Sequence, residues 1–249
     1  MNYRSFLPVL LAAASAVCLS SCATPAKVTL DAKTDSILTA MCDKLAAAKT
    51  LRVHVSRAAS PGIGSGITLA EKAAGTVAVQ KPDKVAAELR TSEGARAIGF
   101  DGRTLTVVDR AAGTHAVVPA AGDIDHTVWA IQKTYGLTLP VSELISNNPK
   151  ALLLEGVKSG TCTGSGTVNG VPCDRLDFTQ EGLSWQLWVA TGDKLPRRLS
   201  LAYSKGGGGA PRTVTADLTQ WQTDIPLSGA ELSVKPPAGS RALDMIPLE

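Results

Sequence analysis

Cys22 closes the run Leu19-Ser20-Ser21-Cys22, just past an apolar stretch from Phe6 to Leu19 that only Pro8 and Ser15 interrupt. A stretch this short cannot span a bilayer, which takes about 20 apolar residues. Its length, with Arg4 before it, fits a secretory signal. Leu-Ser-Ser-Cys also has the form of a bacterial lipobox. In that pathway the Cys22 thiol receives a diacylglyceryl group and the chain is cut before it. Cys18 is the poorer acceptor, because β-branched Val17 would stand at its cut. Several acyl chains together anchor stably where one is marginal. Residues 1–21 are therefore expected to be a lipoprotein signal peptide and Cys22 the lipidated residue, which makes the membrane a partner through the anchor. Ala23 rather than Asp follows Cys22, which points to the outer membrane.

Other chemistry is sparse. Three histidines, His54, His115 and His126, show no i, i+4 pairing, and no Cys-x-x-Cys occurs, so no metal site is expected. Asp125-His126 falls at a helix start, where a cap followed by a surface histidine is a simpler reading than a catalytic dyad. No Gly-x-Ser-x-Gly elbow is present. Residues 62–66 and 206–209 are glycine-rich, but neither run leads into a lysine and a helix, so neither cradles phosphate. Lys194, Arg197 and Arg198 form a small basic group that fits a solvated strand end. Past residue 21 the chain carries 24 basic and 22 acidic side chains, too even a balance for nucleic acid. Cys42, Cys162 and Cys173 remain. An Asn169-Gly170 hairpin would set Gly166 opposite Cys173, so a Cys162–Cys173 bridge needs a bulge or another turn; two free thiols are the alternative.

The elements follow from periodicity. Residues 22–30 are expected to be a tether and 31–249 one domain. Asp31 can cap a helix reaching about Lys49, with Ile37, Leu38, Met41, Cys42 and Leu45 on one stripe. Alternating segments follow: Leu51–Val55, Gly75–Gln80, Val85–Leu89, Ala97–Phe100, Thr104–Val108 and His115–Val118. Asp101-Gly102 reads as a type I′ turn. Ile124, Val128, Ile131 and Tyr135 switch to the helical period, with Asp123 or Asp125 as cap and Gly136 as stop. Pro140–Ile145 reads as a short helix that Asn147-Asn148-Pro149 ends. Strands then return. Leu176 and Phe178 share a face, as do Leu183, Trp185, Leu187 and Val189, and then Leu199, Leu201 and Tyr203, and last Val214, Ala216 and Leu218. Trp185 and Trp188 point to opposite sides. Period-two strands on short turns imply an antiparallel sheet, and the grouped helices make the class α+β.

These motifs, in order, resemble a bacterial family of predicted periplasmic proteins, domain of unknown function 2092. The resemblance rests on Met41-Cys42-Asp43-Lys44-Leu45, Lys81-Pro82-Asp83-Lys84-Val85, Phe100-Asp101-Gly102-Arg103-Thr104-Leu105 and Ile124-Asp125-His126. It continues through Lys133-Thr134-Tyr135-Gly136 with Leu139-Pro140, Val168-Asn169-Gly170-Val171-Pro172-Cys173-Asp174, and Trp185-Gln186-Leu187-Trp188-Val189 with Leu195-Pro196-Arg197. It spans about residues 33 to 225. Arg175 stands where the family commonly has His. The resemblance implies a fold similar to the envelope lipoprotein carriers and receptors: a strongly curved antiparallel half-barrel wrapped around a few helices, with an apolar cavity.

Leu176, Phe178, Leu183, Trp185, Leu187, Val189, Leu199 and Leu201 are then the candidate cavity residues. The expected function is a non-catalytic envelope lipoprotein that binds acyl chains or a lipidated protein. The other reading is a periplasmic sensor or protein-interaction module. No catalytic residue, metal or cofactor is expected, and no nucleic acid partner.

Overall fold

The computed structural model describes residues 28–60, 72–135, 141–204 and 212–247. Cys22, the glycine runs at 62–66 and 206–209, Gly136 and Leu139-Pro140 lie outside them. Helix α1 (Ala32–Ala47) starts where the sequence places it. The Asp31 carboxylate accepts the Thr34 N–H at 2.8 Å, the N-cap bond that satisfies an otherwise orphaned helix donor. The same carboxylate accepts the Cys162 N–H at 2.8 Å, tying the helix start to a distant strand. Leu38, Met41, Cys42 and Leu45 are buried on the predicted stripe.

Short two-residue strand β1 (Thr29–Leu30) precedes α1, so the end of the expected tether is taken up by the sheet. After α1 the chain runs through β2 (Thr50–Ala59), β3 (Lys72–Gln80), β4 (Lys84–Thr91), β5 (Gly94–Phe100), β6 (Thr104–Asp109) and β7 (Thr114–Pro119). Helices α2 (Ile124–Tyr135), α3 (Ser142–Ile145) and α4 (Pro149–Leu153) follow. The chain then forms β8 (Val157–Val168), β9 (Val171–Gln180), β10 (Leu183–Ala190), β11 (Pro196–Tyr203), β12 (Arg212–Thr223) and the two-residue β13 (Arg241–Ala242). The thirteen strands among the described residues belong to one sheet, ordered β1-β8-β9-β10-β11-β12-β2-β3-β4-β5-β6-β7-β13. Two antiparallel meanders are thus joined where β12 pairs with β2. Among the described residues the sheet does not close: β8 and β7 lie near opposite edges, flanked only by the parallel pieces β1 and β13. Helices α2, α3 and α4 lie in the connection between these two edges.

One sheet face is apolar because alternate residues on a strand share a face. It packs against the helices. The main core joins Leu38, Met41 and Leu45 of α1 and Leu144 and Ile145 of α3 to Val53, Val77 and Val79 on one half and Leu176, Trp185 and Leu187 on the other. The opposite face is crossed by the C-terminal tail. Asp224 accepts the Lys49 N–H at 2.8 Å, Glu231 pairs with Arg52, and Ser240 meets His115 Nδ1 at 2.8 Å. A Cβ on Gly99 would come within 2.8 Å of Val234, so glycine there lets the tail lie close.

Two turns differ from the sequence reading. Asp101-Gly102 is not a type I′ turn: Gly102 alone takes the left-handed backbone (φ 89), and Asp101 accepts the N–H groups of Arg103 and Thr104 at 2.9 and 2.7 Å. The carboxylate replaces one backbone turn by an Asx turn. Pro149 opens α4 rather than ending a helix; it needs no N–H at the first helical position, and Asn148 caps it. Asn169-Gly170 is the two-residue turn expected, with both φ values positive (49 and 80). Gly166 accordingly faces Cys173, while a bulge between Cys162 and Gly164 places Cys162 opposite Leu176. The bridge is excluded, and Cys42, Cys162 and Cys173 are free thiols. Burial pushes the Cys42 thiol up to about 12.

Candidate ligand face

The functional candidates lie on the apolar face of β8 to β12, and register puts them into cross-strand rows. One row is Ala59, Val214, Leu201, Trp185, Phe178 and Gly160. The next is Arg57, Ala216, Leu199, Leu187, Leu176 and Cys162. All eight predicted residues share this face. Phe178 and Trp185, directly opposed, stack with ring centroids 4.0 Å apart and planes 14° from parallel. Gly160 makes this possible: a Cβ there would lie 2.6 Å from the Phe178 ring and 2.7 Å from Leu30.

Cover by the helices is uneven. Leu176, Phe178, Trp185, Leu187, Val189 and Leu199 are buried in the main core. Leu183 and Leu201 are only partly buried, and Tyr203, next along the same face of β11, is 39% exposed. The face therefore runs out from beneath the helices towards the β9–β10 turn. Glu143 of α3 is close enough to raise the Tyr203 phenol, after burial, which is the larger cause. Burial likewise raises the Glu143 carboxyl.

The inward alternation of Leu51, Val53 and Val55 continues to residue 57. That position is Arg57, 7% exposed on the apolar face. Its cross-strand neighbours are Ala73 and Ala216. Burial lowers its pKa, since removing a guanidinium from water penalises the charged form. The signal was an arginine at an inward position of an otherwise apolar strand.

Other sequence candidates are accounted for by local bonding. Asp123 caps α2 through the His126 N–H at 2.8 Å. Asp125 accepts the N–H groups of Asn147 and Asn148 at 2.7 and 3.0 Å, so its carboxylate braces the α3–α4 connection. The basic group at the β10–β11 turn and the start of β11 is paired: Arg197 with Asp193, Arg198 with Asp217, and Lys194 Nζ to the Thr191 carbonyl at 2.7 Å. Trp188 lies on the opposite face from Trp185, beside Val168, Cys173 and Ala190, with Arg175 over its ring at 5.8 Å. A separate cavity of about 230 Å³ opens between α2 and the preceding connection, lined by Pro119, Ala120, His126, Thr127, Ile131 and Tyr135 among others. None of the eight predicted residues lines it.

Known structures of low sequence identity superpose on most of the chain. A conserved protein from Thermus thermophilus, described as uncharacterized, superposes with a TM-score of 0.51 at 9% identity over 85% of this chain and 98% of its own. LprF from Mycobacterium bovis gives 0.48 at 13% over 80% and 96%. The Mycobacterium tuberculosis lipoprotein LppX gives 0.46 at 15% over 78% and 98%. A search of curated proteins finds no match. The family model for DUF2092, described as a predicted periplasmic protein, matches residues 34–246, past residue 225 and into the C-terminal tail, and the chain belongs to that family.

Proposed function

We propose that the protein is a lipid-anchored binding module of the periplasm, held at the outer membrane through Cys22, whose half-barrel and helices take up an acyl chain or the lipidated end of another lipoprotein. The observation that carries this reading is the apolar face of β10 and β11, which continues beyond the helix cover at Leu183 and Leu201. Water-facing apolar surface on an inner face is costly unless something covers it, and each acyl CH₂ moved there contributes about 0.8 kcal/mol. Binding of this kind needs no charged constellation and no catalysis. The bonding of Asp125 to Asn147 and Asn148 supports a non-enzymatic role, because that carboxylate is committed away from His126.

Titration of a fluorescent fatty acid tests the proposal. The chain from residue 23 onward keeps every described element and is suited to it. Saturable binding at micromolar protein is expected, weakened by Leu201→Trp, which fills the half-covered end. Absence of saturable binding rejects it. The second reading, a protein-interaction module, is favoured by one feature. Beyond Gly160 the outer edge of β8 has no strand partner among the described residues, and such an edge can accept a strand from another chain. Native mass spectrometry separates the two, showing either co-purified lipid or a stoichiometric protein.

A further inference from the structure

Two adjacent rows of α2 side chains, His126-Ala130-Thr134 and Thr127-Ile131-Tyr135, each spaced four residues apart, form one wall of the cavity of about 230 Å³ beside that helix. Ala120 and its neighbours before α2 form the other. Ala130 hollows the wall, because its methyl group leaves open the space a longer side chain would take. The floor is firm, since Ile131 belongs to the cluster of Phe100, Leu105 and Val107. The polar groups around the cavity are uncommitted. The Thr127 hydroxyl is buried without a hydrogen-bond partner. Among the described residues nothing hydrogen-bonds to the side chains of His126, Thr134 or Tyr135 either. No Asp, Glu, Lys or Arg stands among the described lining residues. At the rim the His126 ring lies 6.4 Å from that of Trp129, which is 54% exposed. Lys133 Nζ stands over the Trp129 ring at 4.6 Å, a cation–π contact that steadies it.

We infer that this cavity is a saccharide site, taking one uncharged sugar ring while Trp129 packs against the next unit of the sugar chain. The site stands apart from the acyl-binding face, since none of the eight residues of that face lines it. Chemistry narrows the ligand. An acyl chain would displace water and leave the hydroxyls and the imidazole without partners, which costs free energy. A charged ligand finds no opposite charge in the described lining. A sugar ring meets both conditions. Each of its hydroxyls donates and accepts, as do those of Thr134 and Tyr135, and a ring enters with few rotors to freeze. Size agrees, because the cavity is smaller than the roughly 300–1,000 Å³ of pockets for drug-sized ligands. Trp129 adds a rigid, amphipathic surface at the rim, suited to the C–H side of a second ring.

The test titrates the chain beginning at residue 23 with chitobiose, cellobiose and maltose, and with cyclohexanol and glucuronate as controls, followed by saturation-transfer NMR. At least one disaccharide should bind saturably at low-millimolar concentration or below, with each control about tenfold weaker or undetected. Ala130→Leu, which fills the cavity, should abolish that binding. Thr134→Val should weaken it about fivefold, and Trp129→Ala about three- to tenfold. Thr134 is half-buried and Trp129 exposed, so these two variants read the site even where Ala130→Leu does not fold. The inference is overturned if no disaccharide binds saturably, if cyclohexanol or glucuronate binds as well as the best disaccharide, or if affinity survives Thr134→Val and Trp129→Ala unchanged. The fatty-acid titration reads a different face, so acyl binding stands or falls separately.

Discussion

Trp185 and Phe178 show how a residue's worth depends on its neighbours. Both rings are buried, stacked on each other, and seated on Gly160. Trp185→Ala should destabilise the chain by about 3–5 kcal/mol, since the cavity cannot collapse against a rigid sheet; a lowered urea midpoint at unchanged slope is the expected result. A second residue prediction concerns pH. Arg198 bonds Asp217 through two nitrogens and holds its carboxyl below the usual value of 3.8. A depressed folded value means the unfolded chain takes up the proton first. The pair's contribution is therefore complete above the unfolded value near 3.9 and is lost as pH falls through the folded one. Both side chains are partly exposed, 35% and 25%, so the contribution is only about 0.5–1 kcal/mol. Asp217→Asn should lower the urea midpoint at pH 7 and have a shrinking effect towards pH 2.

Element pairing depends on small residues as much as on large ones. Gly75 of β3 lies where a Cβ would stand 1.9 Å from the Glu88 carbonyl oxygen of β4. Backbone cannot swing away as a side chain can, so Gly75→Ala should cost about 1–3 kcal/mol, the range for overpacking, and thermal melts should show a lowered midpoint. The sequence marks this glycine only as the first residue of an alternating run. Helix α1 was legible in nearly every detail, because both its cap and its stripe are local properties. The C-terminal tail was not, since its bonds to Lys49, Arg52 and His115 link residues more than a hundred positions apart.

At the scale of the whole molecule, the proposed anchor and the sheet make separable predictions. Cys22→Ser should yield a chain that takes no palmitate label and leaves the membrane fraction on washing, while its urea midpoint stays that of the native chain, because the change exchanges one small side chain for another. Cutting the chain after Thr223 removes Leu232, which is buried, and Met245, which packs on the cluster of Phe100, Leu105, Val107 and Ile131. Losing these contacts should cost about 1.5–3 kcal/mol for each fully buried side chain, seen as a lower thermal midpoint.

The sequence by itself determined the strands, their faces, the Asn169-Gly170 register and the family, because period-two patterning and tight turns are encoded within a few residues. It brought all eight ligand candidates onto one face for the same reason. Tertiary structure alone decided which strands are neighbours across long gaps, above all β12 beside β2, which places Arg57 in line with Leu199, Leu187 and Leu176. It also decided how far the helices cover that face. Burial of Leu187 and partial exposure of Leu183, four residues away on the same strand, depend on where α1 and α3 come to rest, and that is set by packing between segments the local pattern does not relate.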